Sequence, residues 1–209
     1  MARNHDRIAG GVLALAALMT VLTMMHHPTH VDPGPPGLNQ VVHGIMITLV
    51  AVTGFGFAHL AIRRGLDRPD VLAGSVAYAV AMFANILAAT INGFAVPSLA
   101  NQLQRGAFTD KSAFLLAWDL NQALAVVAVF ATGAAYLLWS LGLVTRRGWV
   151  SRGLGLMGIA AGLAPPMLLA IGMFNMNVAG ALIVYGLEAV WTLLAGAALF
   201  SGRLIDDPV

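Results

Sequence analysis

Six long apolar runs leave this chain few ways to fold. They cover residues 8–25, 41–62, 71–96, 114–144, 154–174 and 178–200. A helix crossing the hydrocarbon core needs about 20 apolar residues. Inside lipid the backbone must satisfy its own donors and acceptors, which a helix does within one segment. Composition points the same way. The chain is 59% hydrophobic and only 10% charged, whereas a soluble domain carries about 25% charged residues. Six spans with short loops use up nearly all 209 residues. The expected fold is therefore all-α: a polytopic transmembrane bundle of six helices forming a single domain over 1–209.

Chain breakers separate the runs. Pro28 and the proline–glycine stretch 33–37 mark the first loop, and Arg63-Arg64-Gly65 through Pro69 the second. A loop from Pro97 to Lys111 is expected third, one from Thr145 to Arg152 fourth, and a tight turn at Asn175-Met176-Asn177 fifth. Pro165-Pro166 removes two backbone donors inside the fifth span and predicts a kink there. The fourth run is long for one span and is expected to tilt or to project from the bilayer.

Loop charge sets the orientation. Arg3, Arg7, Arg63, Arg64, Arg68, Arg146, Arg147, Arg152 and Arg203 fall on one side of a six-span arrangement, and only Arg105 and Lys111 on the other. Positive residues mark the cytoplasmic side, so both termini are expected there, in the multi-pass topology of a bacterial inner-membrane protein. The first run has the basic flank of a signal peptide, but no small-residue cleavage site precedes the first loop. It is read as a retained helix.

Several function classes drop out. The absence of cysteine removes disulfides, thiolate nucleophiles and Cys-type metal sites. The pI is near 9.5, yet the arginines sit in separate short loops with no basic stripe, so no nucleic acid is expected. No phosphate-cradling glycine loop appears, so no nucleotide is expected either. Neither a His-Glu-x-x-His motif nor a Gly-x-Ser-x-Gly elbow is present.

The opening Arg7-Ile8-Ala9-Gly10-Gly11 and the segment Arg147-Gly148-Trp149-Val150-Ser151-Arg152-Gly153-Leu154-Gly155 before the fifth span resemble a broad group of uncharacterised bacterial six-span integral membrane proteins. The resemblance lies at the level of topology. It implies a six-span bundle and no particular activity.

Candidate chemistry gathers at the outer face. His26, His27, His30 and His43 lie close in sequence, at the facing ends of spans one and two. Imidazole is the commonest metal ligand, and copper, zinc or iron would suit such a cluster. His26, His30 and His43 are the expected nitrogen ligands, with Asp119 as an oxygen ligand or an orienting group. His27 precedes Pro28 and is held extended, which points it away from His26. Met24, Met25, Met173 and Met176 share this level, and thioethers favour Cu(I). His59 lies about 24 Å further along the second helix at 1.5 Å per residue, too far to join.

Glu188 falls near the middle of the last span. Ionisable groups at that depth are functional candidates. Polar companions recur at helical spacing: Asn85 with Asn92, Asp119 with Gln122, and Tyr185 with Glu188. Asn85, Asn92, Gln122, Tyr185 and Glu188 are thus expected to line a ligand cavity open to the outer face. Three readings follow. One is a membrane protein binding a transition metal or a small cationic ligand. The second is a small-solute or proton-coupled transporter. The third is a non-catalytic accessory subunit of a membrane complex. Its partners would be the lipid bilayer, with further copies or other membrane subunits.

Overall fold

The computed structural model describes residues 2–28, 37–107 and 109–204. The described chain is helical throughout: α1 (Ala2–Met25), α2 (Leu38–Arg64), α3 (Pro69–Thr90), α4 (Val96–Gln104), α5 (Ser112–Val144), α6 (Trp149–Ala170) and α7 (Val178–Phe200). A π-helical turn, Ile91–Ala95, joins α3 to α4 without a break, so the two form one span. Six spans are long and apolar enough to cross a membrane. They close into a ring in which α1 meets α2, α2 meets α3, α3 meets α5, α5 meets α6, α6 meets α7, and α7 returns to α1.

Two loop expectations need correction. The segment beginning at Pro97 is not loop but helix as far as Gln104. The wide turn ahead of it carries the bond from Val96 N–H to the Ile91 carbonyl. Proline has no N–H to lose and is tolerated at the first turn of a helix. The fifth span ends at Ala170 rather than Phe174. Gly172 adopts φ 73°, Met173 N–H bonds back to Leu168 O, and Gly172 N–H to Leu169 O. This paired closure needs a left-handed residue after the last turn, which glycine supplies without strain. Helix α6 itself runs through Pro165 and Pro166.

Small residues set the closest approaches, because apolar lipid gives helices no hydrophobic reason to associate and contact depends on packing. A β-carbon at Gly162 would stand 2.6 Å from the Gly133 carbonyl oxygen, and one at Gly196 2.8 Å from the Gly10 carbonyl oxygen. These pairs bring α5 onto α6 and α7 onto α1 backbone to backbone.

The two ends of the bundle differ. At the arginine-rich end Asp6 binds His59 and Arg63, both at 2.8 Å. Asp70, in the first turn of α3, receives Arg68 at 3.2 Å and Arg64 at 3.4 Å. The buried Arg64 also donates to Trp139 O. Above this layer Phe57, Tyr78, Tyr136, Trp139 and Trp191 pack ring against ring, with Tyr136 and Trp191 centroids 4.2 Å apart. Trp191 Nε1 donates to Leu154 O and Trp139 Nε1 to Val71 O. The centre of this half is a filled core, flanked by an open groove of about 500 Å³ between α6 and α7. The opposite half, where the histidines lie, is hollow.

Candidate functional site

A cavity of about 220 Å³ opens between the histidine-bearing ends of the spans. Each wall has a local origin. Helix α1 frays at its last turn, where His26 and His27 N–H bond to Thr23 and Met24 carbonyls. His27, just before Pro28, lines the cavity. Helix α2 starts where Gln40 accepts from Gly37 N–H, and its next turn carries His43 into the cavity. The π turn swings Asn92 towards α2. Gly93 within that turn lets His43 lie against its backbone, since a β-carbon there would collide with the histidine's own Cβ. Single π-helical turns within helices often mark such sites.

The two imidazoles meet edge to face, with ring centroids 4.8 Å apart and planes at 75°. His43 is 4% exposed. Its Nδ1 donates to Asn39 O at 2.7 Å. Its Nε2 receives the Asn92 amide at 3.0 Å and faces His27 Nε2 at 3.2 Å. His27 Nδ1 donates to Pro28 O at 2.8 Å. Burial pushes the His27 imidazole below the usual histidine range, against the opposite pull of the Pro28 carbonyl. Asn39 Nδ2 donates to Asn92 O and ties α2 to the π turn from the other side.

Of the residues expected at the site, His43, Asn85, Asn92, Gln122 and Tyr185 do line this cavity. Three others stand differently. His26 is exposed and its Nδ1 is committed to Leu22 O one turn back, so His27 takes the place expected for it. Asp119 is exposed and outside the cavity wall. The inward stripe of α5 runs Trp118, Asn121, Gln122, Ala125, and Asp119 falls on its flank. His30 lies outside the described residues. Met24 and Met176 are buried in the wall beside Met46, whereas Met25 and Met173 are exposed.

No family model matches this chain, and neither a curated protein nor a solved structure does. The six apolar helices are consistent with a six-span membrane protein.

Glu188 lines a second, smaller chamber of about 60 Å³ with Thr20, Thr53, Tyr136 and Thr192. Met46, Val50, Asn85 and Tyr185 belong to both chambers. Tyr185 donates to Asn85 Oδ1 at 2.8 Å across the partition. Thr192 turns its hydroxyl to the Glu188 carbonyl and pairs with Tyr136. No described residue donates to the Glu188 carboxyl group. Among the described residues no Lys or Arg lines either chamber. Residues that sequence reasoning passed over are Asn39, Asn121 and Asn177. Their only signal was amide side chains near the ends of apolar runs.

Proposed function

We propose that this protein is a multi-pass membrane protein of the bacterial inner membrane that binds a small cation, a transition metal ion first among them, in a cavity open to the outer face. One observation carries the reading: two adjoining chambers that share wall residues offer imidazole nitrogens, amide oxygens and one unpaired carboxyl group, and no described cationic side chain. A buried carboxyl group without a partner is either protonated or paired with a cation, and this lining supplies no cation of its own.

The test is a cation panel on the purified full chain in detergent: Cu(I), Zn(II), Na⁺ and choline, read by thermal stability and calorimetry. At least one should raise the unfolding temperature in proportion to its concentration, as any ligand of the native state does. Glu188→Gln should weaken an ion held in the inner chamber by about tenfold, equivalent to about 1.4 kcal/mol, and leave an ion held at the histidine pair unaffected. If no cation stabilises the protein, the reading falls.

The run of the two chambers from the outer ends to mid-span favours a second reading, a small-solute or proton-coupled transporter open to the outside. The aromatic layer beneath Glu188 would then be the closed inner gate. Cation flux into proteoliposomes would separate it from a pure binding protein.

A further inference from the structure

The two histidines have fixed their own tautomers. A carbonyl oxygen only accepts, so the contacts from His27 Nδ1 to Pro28 O and from His43 Nδ1 to Asn39 O place a hydrogen on each Nδ1. A neutral imidazole carries one N–H and one lone pair. In their neutral forms both Nε2 atoms are therefore unprotonated, and they lie 3.2 Å apart. The Asn92 amide relieves His43. No described donor relieves His27 Nε2. Two lone pairs held this close repel unless a positive centre lies between them.

We propose that His27 and His43 are the paired nitrogen ligands of a Cu(I) site, completed by thioether sulfur from Met24, Met46 or Met176. This deepens the cation-cavity reading and rests on it. Two nitrogens bound about 2.0–2.1 Å from one tetrahedral metal stand about 3.3–3.4 Å apart. The observed 3.2 Å separation is that edge with little adjustment. A metal-ligating histidine ordinarily donates its other N–H to a carbonyl or carboxylate, and both rings here do so.

The remaining donors choose the metal. Among the described residues no three His, Asp or Glu side chains come together, so no described carboxylate joins the imidazoles to balance a divalent ion. The three methionines line the same cavity as the histidines. Soft thioether donors select Cu(I) among the metals that imidazole binds. A neutral ligand set also buries one positive charge at less cost than two.

The experiment uses the full chain in detergent under reductant, with Cu(I) delivered from a bicinchoninate complex and Ag(I) as a redox-inert substitute. The protein should withdraw Cu(I) from the chelator, and X-ray absorption of the loaded wild type should show both nitrogen and sulfur neighbours. His27→Gln and His43→Gln should each weaken binding by at least about tenfold, while His26→Gln leaves it unchanged. Replacing Met24, Met46 and Met176 together by Leu should remove the sulfur signal. If the wild type binds another cation but not Cu(I), or its spectrum lacks sulfur, the copper assignment is wrong and the cavity reading stands. The same follows if Cu(I) binding survives in folded His27→Gln and His43→Gln proteins. If no cation binds at all, both fall. The absorption measurement needs only the wild type, so a variant that fails to fold does not shield the proposal.

Discussion

Single side chains in this bundle divide by whether they have a partner. Tyr185 does: its hydroxyl holds Asn85 across the partition between the chambers. Tyr185→Phe should cost about 1 kcal/mol of stability, the usual net worth of one hydrogen bond, in chemical denaturation in detergent. Glu188 does not, since no described residue donates to its carboxyl group. Glu188→Gln and Glu188→Leu should therefore both fold with stability within about 1 kcal/mol of wild type, because neither leaves a buried partner stranded. A Glu188→Leu protein destabilised by more than about 2 kcal/mol would mean that the carboxyl anchors something after all. The two predictions are complementary, since they place the polar tie on Tyr185 and leave the Glu188 carboxyl group without one.

At the scale of elements, the site depends on one irregular turn. A regular α-helix through residues 91–95 would place Asn92 differently relative to α2. The π turn instead lets Asn92 reach both Asn39 and His43. Gly93 is the residue that makes the approach possible, because His43 occupies the space a methyl group would need. Gly93→Ala should destabilise the protein by about 1–3 kcal/mol, as overpacking does. It should also lower the affinity for whatever cation the cavity holds. Gly44, adjacent to His43 on α2, is the control. A β-carbon there meets nothing within 4 Å, so Gly44→Ala should be neutral or stabilise by up to about 1 kcal/mol through helix propensity. Denaturation midpoints of the two variants should move in opposite directions or differ by that margin.

The whole molecule is asymmetric along its axis. The arginine-rich end is stitched by ion pairs and filled with stacked aromatic rings, while the histidine end is open. The positive-inside rule predicts a cytoplasmic location for the filled end. Reporter fusions after Arg64, Arg147 and Arg203 should read cytoplasmic, and fusions after Arg105 and Gly172 external. An inverted pattern would turn the cavity towards the cytoplasm and with it the source of any ligand. The asymmetry also predicts access: a membrane-impermeant cation should reach the cavity from one side of an oriented vesicle only.

The sequence by itself determined the six spans, their order and the level of the membrane at which the polar residues gather. Runs of apolar residues longer than a bilayer is thick admit one backbone solution, and residues near the facing ends of neighbouring spans share a depth whatever the packing. It also singled out Asn85, Asn92, Gln122 and Tyr185 by helical spacing, and His43 by its place among the histidines at the outer ends of two spans. The tertiary structure decided the rest. That His27 and not His26 enters the cavity follows from where α1 stops and how the residue before Pro28 is held. That Asp119 stays outside follows from the rotation of α5, which its packing against α3 and α6 sets. That the chain continues as helix through Pro97 follows from a wide turn no periodicity announces. Depth along a helix is read from counting residues, but rotation about its axis is set by its neighbours. The Nε2 atoms of His27 and His43 meet only because the end of α1 and the start of α2 are turned the way they are.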